Sequence, residues 1–307
     1  MLKHPIIACA GVLAAMIASG CGGGDASPTA PPPAAAPLSS RNPAVTAIPR
    51  ATPADFRAPI ARYRRHVRRE LDAMMGDVRR LRAAVARGDL RDARAAWLAA
   101  DMRYEAIGAA YGAFGELDRA VNGRPAGLPG GIRSQRFRGL HRVELALWGR
   151  SSTGDAAAPV ARLAVDVARL RTRAATIAID SFDYALRSHE VLEDSLHLQL
   201  SGEASPWSGS ALTALRGNLR GTRFVLQTLR PLLVGRNAAV LRQCELALRR
   251  LAAVLRDVHG RWDALGQRDR ERVAGVTAAA TEQLAYVPEV IDPRPPRRLQ
   301  DAFGRGS

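Results

Sequence analysis

The sequence has almost no lysine: Lys3 stands alone, and arginine carries the rest of the basic excess behind a formal charge of +16. Aromatic residues are also scarce, at 5% of the 307 positions. Nucleic-acid binders cluster their cations or interleave them with stacking rings, so this composition excludes a nucleic-acid partner. The arginines read instead as solvated helix faces, with an acidic polysaccharide at the cell envelope as the alternative use for them. Cysteine is sparse too. Cys9 lies in an N-terminal apolar run, Cys21 ends it and Cys244 is alone in the body of the chain, so no disulfide can form within the domain and packing must hold the fold. Alternating β-branched runs are few after Asp55, which argues against a sheet.

What is present at the N-terminus is an export signal. Residues 1–20 combine a short positive start at Lys3 and His4, an apolar stretch from Ile6 to Ala18 and small residues at the end. The stretch is too short and too alanine-rich for a membrane-spanning helix. Ala18-Ser19-Gly20-Cys21 resembles the bacterial lipobox, although leucine is commoner where Ala18 stands. Cys21 is therefore expected to be lipidated as the mature N-terminus, with an ordinary signal cut nearby as the alternative. Residues 21–53 are rich in Gly, Pro and Ala and hold few large apolar side chains, so they form a disordered tether. A membrane-anchored protein of the periplasm or cell surface follows, with a helical domain at 54–290 and a tail at 291–307.

Within that domain the hydrophobic period is helical nearly throughout. The spacing predicts helices at about 54–87, 89–113, 137–149, 157–178, 180–201, 208–234, 237–264 and 267–287. Asp89, Asp180, Ser208 and Asn237 are placed to start helices, and Gly88, Gly149 and Gly202 to stop them. The fold class is all-α, and short connections predict antiparallel bundles. Residues 114–136 form the longest irregular stretch, which delivers the chain to the segment of greatest chemical interest.

That segment is Gly139-Leu140-His141-Arg142-Val143-Glu144. Three residues apart on a helix, His141 and Glu144 share a face, so an imidazole nitrogen and a carboxylate can converge on one metal ion. The pattern is also compatible with an ion-paired histidine beside a core formed by Leu140, Val143 and Leu147. Upstream, Asp101 and Glu105 stand one turn apart with Trp97 one turn further back. Glu105 lies among small residues on a helix leading into the stretch that carries Asp118; its alternative is an ion pair with an arginine. A weak internal echo pairs His141 and Glu144 with His189 and Glu193. The zincin peptidase pattern, His-Glu-x-x-His, fails at His189-Glu190-Val191-Leu192-Glu193 for want of a second histidine. Cys244 has core spacing, and no glycine-flanked serine elbow appears.

Tyr104-Glu105-Ala106-Ile107, Phe114-Gly115-Glu116-Leu117-Asp118, the Gly-x-His-x-x-Glu element and Leu200-Ser201-Gly202-Glu203, in that order, resemble the imelysin-like family. Its members include EfeO- and EfeM-type periplasmic components of bacterial iron uptake and proteins classed as metallopeptidases. The resemblance covers about residues 55–290 and implies two antiparallel four-helix bundles. It also implies a metal site of His141, Glu144, Glu105 and Asp118, with iron as the ion and zinc or manganese as alternatives. One imidazole with three carboxylates is a hard, anionic ligand set that suits such ions. An ion-binding component that delivers to an inner-membrane iron permease is implied, and peptidase turnover is not. Ser208-Gly209-Ser210-Ala211-Leu212 departs from the family's usual Ser-His-Thr-Asp-Leu, and Asn122 stands where an aspartate is common.

Overall fold

A computed structural model describes residues 49–294; the expected export signal, Cys21 and most of the expected tether and tail lie outside the described residues. The chain enters through a 3-10 turn, Pro53–Phe56, in which Thr52 and Asp55 form a capping box. Helix α1, Arg57–Ala86, buries Ile60, Tyr63, Val67, Leu71, Met74 and Val78, a stripe at three- and four-residue spacing that faces the core. It stops before Gly88 in the left-handed region (φ 74°), and the Asp89 carboxylate accepts Asp92 N–H at 2.9 Å to start α2, Leu90–Glu105.

The expected helix 89–113 ends earlier than its hydrophobic period suggests. The chain tightens into a 3-10 turn at Gly108–Ala110 and a single turn α3, Tyr111–Phe114. A side chain at Gly108 would meet the Val191 methyls at 3.2 Å, so the break lets bare backbone abut a later helix. The stretch expected to be irregular contains α4, Glu116–Asn122, which buries Ala120 and Val121. Flanking glycines at 115 and 123 hide that short apolar face in the sequence.

Helix α5, Leu140–Glu144, widens into a π-helical turn, Leu145–Gly149, and α6 spans Ala157–Arg173. Asp180 caps α7, Ser181–Asp194, which also widens into a π turn, Ser195–Gln199. Helix α8, Ala211–Asp257, is interrupted at Asn237, whose side chain accepts Val240 N–H at 3.2 Å. Its two arms fold back on each other. Arg216 donates to the Leu255 and Val258 carbonyls and Arg223 to that of Leu248, so the separate helices expected at 208–234 and 237–264 are the two arms. The first begins at Ala211, three residues later than expected, because Ser208 is used elsewhere. Helix α9, Gln267–Val290, is the last element among the described residues.

The described residues contain no strand. Helices α1, α2, α5 and α6 form one bundle and α7, the arms of α8 and α9 the other, as expected. They meet where the first arm of α8 crosses the end of α2. A Cβ at Gly217 or Gly221 would lie 2.6 Å from the carbonyl oxygen of Met102 or Ala106, so only glycine permits this approach. The crossing fixes Glu105 at the seam between bundles. Among the described residues no helix is long and apolar enough to cross a membrane.

Candidate metal centre

Gly139 opens α5 with φ 88°, and a Cβ there would lie 2.3 Å from the Val121 carbonyl oxygen. The glycine of the Gly-x-His-x-x-Glu element thus lets α5 start directly against the end of α4. Trp97 of α2 fixes the same start from the other side, donating its indole N–H to the Leu140 carbonyl at 2.9 Å. One residue on, His141 is buried, with Nδ1 at 2.9 Å from Glu144 Oε2. A proton on Nδ1, donated to that carboxylate, leaves the lone pair on Nε2, which is buried and has no hydrogen-bond partner. An orphaned imidazole nitrogen of this kind is what a metal ligand presents.

Glu144 is fully buried, and its other oxygen is occupied as well. Oε1 accepts Ser208 N–H and Oγ–H, both at 2.8 Å, and Trp207 N–H at 3.2 Å. These donors belong to the loop that joins α7 to α8 in the second bundle. Arg261 holds that loop from behind by donating to the Trp207 and Ser208 carbonyls. His141 and Glu144 are thus in contact, as their spacing allows, and both oxygens of Glu144 already have hydrogen-bond partners. Ser208, which the sequence offers as a helix start, supplies the donors.

The α2 face that carries Trp97 also carries Asp101 and Glu105, both buried. Burial, reinforced by the charges of Glu105 and Glu144, pushes the Asp101 carboxyl well above the usual carboxylate range. Asp101 Oδ2 has no hydrogen-bond partner. Burial likewise raises Glu105 to about 7, with the Asn218 amide, the charge of Arg124 and the Gln199 amide pulling the other way. Gln199, in the π turn after α7, donates to Glu105 Oε2 at 3.3 Å. Neither acid meets a guanidinium within ion-pair distance among the described residues. The other buried acids do: Asp77 meets Arg80 and Arg103, and Asp166 meets Arg138 and Arg169, while the part-buried Glu70 meets Arg103 and Arg220.

Asp118, on α4, is half-buried and accepts the Tyr104 hydroxyl proton. Burial raises its pKa, opposed by that hydrogen bond and by Arg119 and Arg124. Tyr104 is itself held by stacking on Tyr111, with ring centroids 5.0 Å apart. The structure thus brings His141 and Glu144 into contact, sets Asp101 and Glu105 where their charges are felt together, and anchors Asp118 through Tyr104, the chain neighbour of Glu105. Among the described residues no three His, Cys, Asp or Glu side chains stand close enough to hold one ion as placed. Glu105, Glu144 and Asp118 each rest on a local donor, as like charges in a dry site should. Sequence reasoning leaves Asp101 out of the site. A signal for it exists, since it precedes Glu105 by one helical turn.

Two helical bundles meeting at a seam of buried acids and one imidazole define an all-helical protein. The chain matches the family described as Imelysin, which carries a peptidase label, over residues 59–287, and it belongs to that family. It is similar to the iron uptake system component EfeO of Escherichia coli K12, of Escherichia coli O1:K1 and of Shigella flexneri. Each is 24% identical over 237 residues, spanning 76% of this chain and 63% of the relative. The chain therefore covers less than two thirds of the length of these relatives.

Proposed function

We propose that the protein binds a metal ion, iron in the first instance, as cargo rather than as a catalytic cofactor, and takes part in its uptake. The observation that carries this reading is the charge imbalance at the seam. Among the described residues Asp101, Glu105 and Glu144 are buried without a guanidinium partner, whereas the other two buried acids, Asp77 and Asp166, have two each. A cation is the simplest group to balance them. His141 Nε2 would supply the nitrogen ligand and Asp101 and Glu105 the carboxylates, with Glu144 orienting the ring and Asp118 completing the set at the outer edge. Ion binding would draw these acids together and expel their protons. The identity of the ion rests on the similarity to the iron uptake components. Hydrolysis is not needed for this role, and no second histidine stands where a zincin would require one.

Lipidation at Cys21 and a tether over residues 21–53 would hold the helical domain at the outer face of a membrane, within reach of an iron permease. The test is a titration of the metal-free protein with ferric, zinc and manganese ions. Wild type should bind one equivalent; His141→Ala should weaken binding about a hundredfold and Glu144→Ala about ten- to a hundredfold, as loss of a ligand and of its orienting partner do. Unchanged affinity in both variants would remove the site.

A further inference from the structure

We propose that the arginine-lined pocket beside Asp118 is a subsite for a small polycarboxylate, and that the metal arrives there as an anionic chelate. The pocket, of about 720 Å³, lies between α4, the loop that follows it and α6. Five arginines line it, at 119, 124, 136, 138 and 162, against two acids, Glu116 and Asp118. Those acids are already engaged: Glu116 with Arg119, Asp118 with the Tyr104 hydroxyl. Arg138 turns toward the buried Asp166, 3.7 Å away. Arg124, Arg136 and Arg162 have no carboxylate partner among the described residues, and Arg124 Nε is buried without any partner.

A concave wall with three uncommitted guanidiniums concentrates positive potential, and each planar fork matches a carboxylate in two hydrogen bonds. One carboxylate would satisfy one fork. A ligand with several satisfies the set, and the cavity is large enough for such a molecule with its waters. The pocket also touches the acid cluster. Asp118 is part of its wall, and the charge of Arg124 is felt by Asp101, Glu105 and Asp118 together. Hard trivalent cations travel in water on oxygen chelators. A chelate seated on the arginines by its free carboxylates would present its ion to Asp118. The ion would then exchange chelator oxygens for Asp118, Glu105, Asp101 and His141 Nε2, the protons on the acids would leave to solvent, and the chelator would stay on the arginines. The oxidation state is unchanged throughout. This transfer rests on the metal reading above, whereas anion binding rests on the pocket alone.

The experiment is calorimetric titration of the metal-free protein with citrate, with inorganic phosphate as the competing chemistry. Wild type should bind citrate at least tenfold more tightly than phosphate, with affinity falling as salt rises. The double variant Arg136→Ala/Arg162→Ala, two exposed positions whose loss leaves the core intact, should lose at least tenfold in citrate affinity, and Arg91→Ala on α2 should lose none. Absence of citrate binding in wild type, retention in the double variant, or phosphate binding as tightly as citrate would each overturn the subsite. His141→Ala separates the two readings: it should keep metal-free citrate binding while losing the metal. If it loses citrate as well, the anion sits on the acid cluster and not on the arginines, and the subsite is overturned.

Discussion

Two sets of buried or part-buried acids flank the end of α2, and they are balanced in opposite ways. On one side Glu70 takes Arg103 and Arg220, Asp77 takes Arg80 and Arg103, and the ring of His66 stacks on Phe224 beside them. Every carboxylate there has a counter-charge supplied by the chain. On the other side Asp101, Glu105 and Glu144 have amides, hydroxyls and one imidazole around them, but among the described residues no guanidinium in contact. In a sequence this rich in arginine, leaving three buried carboxylates unpaired is not a shortage of cations. The first set is charge-balanced by the chain itself; the second holds its acids in a dry seam where protons, rather than guanidiniums, offset the burial.

The largest effect that separates the two sets is on pH. Glu105 titrates near 7 in the folded protein against an ordinary value of 4.5, so between those limits the folded state holds a proton that the unfolded state has lost. Stability of the metal-free protein should therefore fall as pH rises from about 4.5 to about 7 and then level off, by about 3 kcal/mol in all. Asp101, also raised, adds in the same direction. Urea unfolding at pH 5 and pH 8 measures the difference. Glu105→Gln should flatten the slope and make the protein more stable at pH 8, and metal should bind more tightly as pH rises through the same window. A protein whose stability increases over this range would show that Glu105 is charge-balanced within the fold.

The complementary variant is Glu70→Ala. It leaves Arg220 without a carboxylate and Arg103 with Asp77 alone, and removal of one partner from a buried pair costs about 3–5 kcal/mol. These arginines are 33% and 37% exposed, so solvent screens part of the loss and about 2 kcal/mol is expected. Denaturant midpoints with and without metal should show the same decrement. A neutral Glu70→Ala would erase the contrast between the two sets.

Much of this architecture is legible in residue order. The 3.6 period marks the long helices, and Asp89, Asp180 and Asn237 are readable as caps because their side chains act within three residues. Asn237 even separates two helices that are continuous but for its own dihedrals. His141 and Glu144 are readable for the same reason of local spacing. What stays hidden is non-local. Nothing near Ser208 in the chain announces that it will cap a carboxylate sixty-four residues earlier, and nothing near Glu105 announces Gln199. The early end of α2 depends on Gly108 meeting Val191, and α4 on a face too short to register as a period. The pairing of Glu70 with two arginines, which makes the unpaired set meaningful, cannot be read at all without the fold.

The smallest effect tests how the unpaired set is held ready. Ser208 Oγ gives Glu144 Oε1 one of its three donors, and two backbone N–H groups remain when it is removed. Ser208→Ala should therefore cost only about 1 kcal/mol of stability, less than a lone buried hydrogen bond to a charge would. Its effect on the metal should be about tenfold or less, because Glu144 keeps its hold on His141 Nδ1 and the ring still aims Nε2 inward. Ser210→Ala should do less again, since Ser210 Oγ reaches Glu144 only through Ser208, 2.9 Å away. A graded loss from Glu144 to Ser208 to Ser210 is what an orienting chain gives. Equal losses at all three would mean that the loop at 207–210 closes over the ion as a unit, and that the second bundle contributes position rather than hydrogen bonds.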